Sequence, residues 1–358
     1  MKMTLFIGSL CNGWAERVIS GLANHLSKEN EITLLTVSDL KPEYQLDQDV
    51  SWETLDKGTV GRLKKNIYRV ITLIQYVRRN KADTYIAFLP VTSYLILCLR
   101  YFIKGKIIIS IRNDPKEEYR GWIHRILVRF LFPLADGVVF QTEDEKEYFN
   151  EKVIKSYRVI PNPLSKEFLE FEAIKCRKEK RIISVGRLAA QKNFKMLIEA
   201  FSLLVDQYPD YYLVIFGEGS ERGALEQLIR DKGIEAKCFL PGRSDDILTE
   251  LCKSELFVST SDYEGISNAL LEAMACGLPS ITTDWSGGGA RILVENEVNG
   301  IVIPVQAVDR LVQEMTSLLS DEKRRERLSE KAMNVKINFS PEAIYQLWEE
   351  YIWKIFKS

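Results

Sequence analysis

Short apolar runs alternate with helical patterns along almost the whole chain. The first three segments are a strand-like run at 3–10, an amphipathic pattern from Ala15 to Leu26 and a second strand-like run at 31–37. Strand, helix and strand in this order form a parallel-sheet unit, because parallel neighbours need a crossover connection. The same rhythm recurs at 84–89, 105–110, 137–142, 157–163, 181–186, 211–217, 237–242, 255–260, 279–284 and 300–305. The alternation predicts a doubly wound α/β fold.

The length of the chain predicts two such domains. At 358 residues it exceeds one ordinary hydrophobic core, and the composition becomes charged at 165–181 between the two series of strands. We therefore predict Rossmann-like doubly wound domains at 1–164 and 165–340. A C-terminal helix at 341–358, with Ser340 as its N-cap, is expected to pack back on the first domain. Because ligands bind beyond the carboxyl ends of parallel strands, two facing domains predict a central cleft.

Composition excludes several classes of protein. Lysine and arginine total 49 against 50 acidic residues, so the chain has no overall field that would hold nucleic acid. The longest apolar stretch, 94–109, is interrupted by three cations and is too short for a membrane span. The run at 3–10 is too short for the apolar region of a signal peptide, so we expect no export. With two histidines and widely scattered cysteines, the sequence offers no pattern typical of a zinc site. The cysteines are interpreted as free thiols in a reducing cytoplasm: Cys11, Cys98, Cys176, Cys238, Cys252 and Cys276.

The segment "DYEGISNALLEAMACGLPSITTD", 262–284, carries the strongest chemical signal. Glu264 precedes a helix that begins near Ser267 or Asn268, and Glu272 lies inside that helix. Backbone amides at a helix N-terminus suit phosphate, and carboxylates suit sugar hydroxyls. A sugar nucleotide presents both groups. The alternative is a solvated Glu264 and a surface Glu272, although a lone carboxylate in so apolar a segment would be costly.

A second segment, "VGRLAAQKNF" at 185–194, places Arg187 and Lys192 directly after a strand. Two cations there could neutralise a diphosphate leaving group in place of a metal. The alternative is a pair of surface cations, which this segment alone does not exclude.

Weaker patterns accompany these two. Gly217 and Gly219 resemble a dinucleotide fingerprint, but the third glycine is one place late, so a tight turn lining the cleft is favoured. "FLPGRSDD" places Arg243 and Ser244 in a strand-end loop where a base could bind. Asp47 and Asp49 have Asp-x-Asp spacing within a polar loop and are interpreted as surface residues. His124 is interpreted as packed or exposed rather than catalytic.

Two amphipathic segments carry cations beside an apolar face, at 61–81 and 119–136. Each could be a helix that covers the sheet while its cations reach solvent. Together they favour peripheral binding to an anionic membrane surface.

Taken in order, "GRLAAQKN", "GEGSER", "FLPGR", "EGISNALLEAMACGLP" and "VNGIVIPV", with "AERV", "IRNDP", "VVFQTE" and "VIPNP" in the first half, resemble a family 4 retaining glycosyltransferase with the GT-B fold. The resemblance covers nearly the whole chain. It points to the bacterial branch that builds capsule, O-antigen or lipid-linked glycans. It implies transfer of a hexose or N-acetylhexosamine from a UDP-sugar to a glycan on a polyprenyl-diphosphate carrier, without a metal, at the cytoplasmic face of the membrane.

The resemblance also implies roles for particular residues. Arg187 and Lys192 would hold the β-phosphate, Glu272 the ribose and Glu264 the hexose. In the first domain, the family's Gly-Gly turn corresponds to Gly13 and Trp14, which would approach the diphosphate. The remaining expected contacts are the acceptor-side residues Arg112, Asn113 and Asp114, the base-bordering Arg243 and Ser244, the turn glycine Gly217, and the donor-binding residues Gly265, Ile266, Ser267, Asn268 and Ala269.

The expected mechanism is front-face displacement, with the leaving-group oxygen acting as base. Double displacement would need a carboxylate nucleophile, and Asp114 is the one obvious candidate in the first domain. Relatives commonly have Gly at the position of Trp14 and often Glu at that of Ile111. The alternative function is therefore a degenerate transferase that acts as a binding or scaffolding subunit.

Overall fold

The computed structural model describes the chain except for residue 12 and the ranges 57–61 and 172–177; for 62–67 only the backbone is described. The chain divides into two compact units. Unit 1 comprises Met1–Pro163 and Glu342–Ser358, and unit 2 comprises Leu164–Pro341. The prediction for Cys176 and that for the side chains in the first part of the amphipathic segment, 61–67, lie outside the described residues.

Unit 1 is built on seven parallel strands in the order β3-β2-β1-β4-β5-β6-β7. The strands are β1 Lys2–Ile7, β2 Glu31–Thr36, β3 Val50–Thr54, β4 Thr84–Phe88, β5 Lys106–Ser110, β6 Gly137–Phe140 and β7 Tyr157–Val159. The helices between them are α1 Trp14–Leu26, α2 Arg62–Arg79, α3 Pro90–Cys98, α4 Pro115–Glu118, α5 Trp122–Leu131 and α6 Glu143–Glu147. Short 3-10 turns follow α3 and α5.

Unit 2 has six parallel strands in the order β10-β9-β8-β11-β12-β13. The strands are β8 Arg181–Val185, β9 Tyr212–Phe216, β10 Cys238–Gly242, β11 Leu256–Ser259, β12 Ser280–Thr283 and β13 Ile301–Ile303. The helices of this unit are α7 Lys166–Glu170, α8 Phe194–Ser202, α9 Arg222–Asp231, α10 Ile247–Lys253, α11 Asn268–Ala275, α12 Gly289–Leu293, α13 Val308–Ser320, α14 Glu322–Ala332 and α15 Val335–Asn338.

Both sheets are buried on two faces, which explains the continuous apolar runs. All five residues of β4 are buried, as are all four of β11. Strands covered by helices on both sides need no polar alternation. The predicted pair of doubly wound parallel sheets is confirmed.

The order of the strands places a switch point in each sheet. Chain order runs outward from β1 through β2 to β3, then resumes beside β1 at β4; in unit 2 it runs from β8 to β10 and resumes beside β8 at β11. The loops that leave two such adjacent strands diverge to opposite faces and open a crevice at their carboxyl ends. These crevices are the expected ligand positions of each unit.

The last helix, α16 Pro341–Lys357, belongs with unit 1. Its Trp348 is fully buried and stacks on Phe88 at the end of β4, with ring centroids 5.5 Å apart. The Tyr351 Oη accepts the backbone N–H of Val138 at 3.2 Å and donates to Ser156 Oγ at 3.4 Å. Aromatic side chains therefore join the C-terminal helix to the first sheet.

Among the helices that the structure describes, none is both long and apolar enough to span a bilayer. The five cysteines within the described ranges form no disulfide.

Candidate functional site

The switch point of unit 2 brings together the two segments with the strongest chemical signal. β8 and β11 are hydrogen-bonded neighbours, with Ile182 opposite Leu256. The loop after β8 carries Arg187 and Lys192, and the loop after β11 carries Glu264. Residues more than 70 positions apart in sequence thus meet at one edge of the sheet.

Lys192 and Glu264 form an ion pair between these loops. The Lys192 Nζ donates to Glu264 Oε1, and both side chains are only 14% exposed. Ser261 Oγ donates to the other carboxylate oxygen, Oε2, at 3.2 Å. Little solvent surrounds this cation and this carboxylate. The Coulomb interaction of either charge with a nearby group is therefore only weakly screened.

Backbone and amide contacts hold the two loops in register. Thr260 Oγ1 is within hydrogen-bond distance of the carbonyls of Lys192 and Asn193, at 2.9 and 3.0 Å. Gln191 Nε2 donates to the Tyr263 carbonyl at 2.8 Å, and Asn193 Nδ2 donates to Asp262 Oδ1 at 3.0 Å. Asn193 has a left-handed backbone, φ 45°, a conformation that asparagine tolerates better than most residues.

The N-terminus of α11 opens at the same edge. Ser267 is its N-cap, and the Ser267 Oγ accepts the Leu270 N–H at 3.4 Å. No acidic residue occupies the first turn of this helix, so the positive end of its dipole is not offset locally. Gly265, Ile266, Asn268 and Ala269 are buried around it.

Glu272 lies on the fifth residue of α11 and is 1% exposed. The surface position that was the alternative for this carboxylate does not occur. Nearby in the same helix, Asn268 is 3% exposed, and among the described residues no group hydrogen-bonds its Oδ1.

The glycines of "IFGEG" allow two loops to approach each other closely. Gly217 has φ +143°, and a Cβ on it would lie 1.8 Å from the Gly186 carbonyl oxygen. A Cβ on Gly219 would lie 2.1 Å from the Leu188 carbonyl oxygen. Only glycine permits this packing against the loop that carries Arg187. Arg187 itself is exposed.

Arg243 and Ser244 follow β10, as predicted from "FLPGRSDD". Arg243 is exposed. The hydrogen bond from Arg222 holds the pKa of the Glu218 carboxyl below its usual value, and the nearby charge of Arg243 lowers this pKa further. Ser244 Oγ accepts the Asp246 N–H at 3.1 Å.

Sequence reasoning missed two residues that support the α11 loop. Trp285 is fully buried, and its Nε1–H donates to the Gly265 carbonyl at 3.1 Å. A Cβ on Gly289 would lie 1.8 Å from the same carbonyl oxygen. The run of three glycines at 287–289 was the available signal, because such a run marks a close backbone approach.

In unit 1, Gly13 and Trp14 stand at the start of α1, after the first strand of the switch point. Gly13 is the N-cap with extended backbone, φ −132°, and Trp14 is the first helical residue. Neither has a positive φ, so the position of Trp14 does not demand glycine's conformational freedom. The Trp14 ring is 39% exposed, with the Arg17 guanidinium 4.3 Å from its centroid.

Arg112 lies just beyond β5, enclosed between aromatic rings. Its guanidinium carbon is 4.5 Å from the Phe88 centroid and 5.3 Å from that of Trp348. Nη1 donates to Asn162 Oδ1 at 3.0 Å, whereas no described group accepts from Nε or Nη2. Burial lowers the pKa of Arg112 to about 10, opposed by the Glu145 carboxylate. The neighbouring Ile111 is part of the core.

Three carboxyls with limited solvent exposure lie at the N-cap of α4, on α4 and on α6. Asp114 is 1% exposed and caps α4, its Oδ1 accepting the Lys116 N–H at 2.9 Å. Burial, with the nearby Asp114 charge, raises the pKa of Glu118 to about 7. Burial also raises the pKa of Glu145 well above its usual value. Asn113 is half-buried beside Asp114.

The structure also describes the three residues that the sequence analysis set aside. Asp47 and Asp49 are exposed. His124 is half-buried on α5, with its Nδ1 3.1 Å from Tyr94 Oη.

Solved structures show which fold the chain has. Sucrose-phosphate synthase from Thermosynechococcus elongatus superposes with a TM-score of 0.84 over 99% of each chain, at 18% identity. Anabaena HepE in complex with UDP gives 0.82 over 99% of this chain and 100% of that one, also at 18% identity. At this identity the likeness concerns the fold, which is that of the GT-B glycosyltransferases.

Sequence comparison then gives the enzyme class. Residues 165–335 match the model described as Glycosyl transferases group 1, and together with relatives that match over nearly the whole chain this shows that the protein is a glycosyltransferase. Over 92% of this chain and 93% of the relative, it is 28% identical to a Campylobacter jejuni enzyme named N-acetylgalactosamine-N,N'-diacetylbacillosaminyl-diphospho-undecaprenol 4-alpha-N-acetylgalactosaminyltransferase. It is 25% identical to the amylovoran biosynthesis glycosyltransferase AmsD of Erwinia amylovora, over 98% and 99% of the two chains.

Proposed function

We propose that this glycosyltransferase moves a hexose or N-acetylhexosamine from a UDP-sugar to a polyprenyl-diphosphate-linked glycan, with retention of anomeric configuration and without a metal. The observation that carries the proposal is the Lys192–Glu264 pair beside the N-terminus of α11 at the unit 2 switch point. This one edge offers cations, a helix dipole and carboxylates, which are the groups that a nucleoside-diphosphate sugar needs.

Each part of the donor is assigned to the residues whose chemistry suits it. Arg187 and Lys192 would neutralise the diphosphate and stabilise the charge that develops on UDP as it leaves. Glu264, which is paired with Lys192, would accept hydroxyl hydrogens from the hexose, and Glu272 would do so from the ribose. Arg243 and Ser244 would border the base. These cations would supply the charge that other transferases take from a metal.

A front-face displacement fits the carboxyls of unit 1. Asp114, the candidate nucleophile for double displacement, is buried and already accepts a backbone N–H as a helix cap. A carboxylate engaged in this way is a poor nucleophile. We therefore favour direct attack by the acceptor hydroxyl, whose proton passes to the departing phosphate oxygen, with Arg112 and Asn113 on the acceptor side.

Relatives support the acceptor and its setting. Two similar Campylobacter jejuni enzymes are named for transfer to undecaprenol-diphosphate-linked glycans. A lipid-borne acceptor would place this transferase at the cytoplasmic face of the membrane, in the assembly of surface polysaccharide or glycan. Against the alternative of a non-catalytic scaffolding subunit stands the ordinary helical position of Trp14, which does not require glycine.

The test is UDP release from a panel of UDP-hexoses and UDP-N-acetylhexosamines with polyprenyl-diphosphate-linked acceptors. Arg187→Ala and Glu264→Ala should each lower turnover by about a hundredfold or more. The controls Arg230→Ala and Glu235→Ala change exposed charges of the same unit and should retain turnover. Full activity in both site variants, or no UDP release with any donor, would contradict the proposal.

A further inference from the structure

Helix α5 presents an apolar stripe to solvent. Trp122, Phe130, Ile123 and Ile126 are 72%, 67%, 54% and 46% exposed. Because successive helical residues are about 100° apart, these four positions share one arc of roughly 100°. The opposite side, with Val128, faces the core. A soluble surface rarely exposes so many large apolar side chains together without a partner for them.

Cations border this stripe and no acid interrupts it. Arg125 and Arg129 are exposed on one flank, and neither has an ion-pair partner among the described residues. The sequence from 119 to 135 contains no aspartate or glutamate. A helix with an apolar face, a terminal tryptophan and unpaired arginines has the character of one that lies in the plane of a bilayer surface.

The other amphipathic helix, α2, differs in this respect. Its Leu73, Tyr76 and Val77 are buried in the core of unit 1. Arg69 is paired with Asp56, and Arg79 is paired with Glu53. In its described side chains, α2 therefore behaves mainly as a helix that covers the sheet, with two of its arginines neutralised by acids.

We propose that α5 docks this chain on an anionic lipid bilayer. Trp122, Ile126 and Phe130 would enter the boundary between headgroups and acyl chains, and Arg125 and Arg129 would contact anionic headgroups. The inference rests on the proposed function, because a membrane-borne acceptor gives the docking its purpose. A second copy of the chain fits this face less well, since a twofold contact would place the same unpaired arginines against one another.

The test is sedimentation with vesicles, without any donor or acceptor. The protein should bind vesicles of phosphatidylglycerol and phosphatidylethanolamine, and bind phosphatidylcholine vesicles far less. The double variant Trp122→Ser, Phe130→Ser should weaken binding roughly tenfold or more, because affinity follows buried apolar area. The double variant Arg125→Gln, Arg129→Gln should lose the preference for anionic lipid and the sensitivity to salt.

Control variants come from unit 2, where Ile337 and Leu203 are 76% and 62% exposed. Ile337→Ser and Leu203→Ser should leave vesicle binding unchanged. The α5 variants should keep the wild-type unfolding temperature, since the altered side chains are exposed. They should also keep turnover of a short-chain, water-soluble acceptor, so that a failure of the docking inference is distinguished from a failure of the proposed reaction.

Three results would overturn the inference. The first is wild-type protein that does not bind anionic vesicles. The second is equal binding by the wild type and both α5 variants. The third is a wild-type dimer in solution that the Trp122→Ser, Phe130→Ser variant converts to monomer, because a second copy would then cover α5.

Discussion

Gly289→Ala tests the architecture beneath the proposed diphosphate site. The added Cβ would lie 1.8 Å from the Gly265 carbonyl oxygen and 3.0 Å from the Ile266 Cα. An ordinary carbon–oxygen contact is about 3.3 Å or longer, so one loop must move by about 1.5 Å. The affected carbonyl also accepts the buried Trp285 Nε1–H at 3.1 Å, and the movement weakens that bond.

The two costs can be combined into an expected effect. Overpacking of this kind costs about 1–3 kcal/mol, and loss of a partner for a buried polar group costs a similar amount, about 1–3 kcal/mol. We expect a loss of about 3 kcal/mol, which for a unit of this size lowers the unfolding temperature by roughly 6–12 °C. UDP affinity should fall as well, because Gly265 and Ile266 lead into α11.

Thermal unfolding and UDP titration calorimetry measure both effects. The matched control is Gly223→Ala, because a Cβ on Gly223 has no heavy-atom neighbour within 4 Å. This variant should have a stability equal to that of the wild type or slightly higher. If Gly289→Ala unfolds at the wild-type temperature and binds UDP with wild-type affinity, the proposed contact between these loops is wrong.

Other variants test separate parts of the account. Lys192→Met should weaken UDP binding roughly tenfold or more, because it removes a diphosphate contact and leaves Glu264 unpaired. Adding Glu264→Gln to this variant should restore stability but not turnover. Recovery of turnover in the double variant would contradict the assigned roles. Because burial raises the pKa of Glu118 from 4.5 to about 7, the folded state holds a proton that the unfolded state releases, so stability falls as pH rises through this range. Glu118→Gln should therefore be more stable than wild type by about 3 kcal/mol at about pH 8 and equal to it at about pH 4 in urea unfolding; a pH-independent difference would refute the assignment. Trp14→Gly should leave UDP release in place, and a large gain in turnover would revive the idea that Trp14 marks a degenerate site.

Local pattern was sufficient for most of the fold. Helix-covered parallel strands such as β5 and β11 are continuous apolar runs, so they stand out in the sequence. The edge strand β3 was not predicted, because its pattern of one buried residue followed by exposed and half-buried ones resembles a loop. Helix α13 was also missed, although Leu311, Met315 and Leu318 follow a helical period.

The candidate site shows where local reasoning ends. The sequence identified Lys192 and Glu264 separately, but their pairing depends on β8 and β11 being neighbours, which strand order decides. The contacts of Gly217 and Gly289 are likewise between backbones distant in sequence. Loop-to-loop packing of this kind has no local periodicity to reveal it. The left-handed backbone conformation of Asn193 likewise has no local periodicity in the sequence that would reveal it.

The most direct test of the central claim is the stereochemistry of the product. A UDP-sugar that supports UDP release would be incubated with the enzyme and a polyprenyl-diphosphate-linked acceptor, and the new glycosidic bond examined by nuclear magnetic resonance. We predict that an α-configured donor gives an α-linked product with one UDP released per bond formed. A β-linked product, or a product formed without UDP release, would contradict the account.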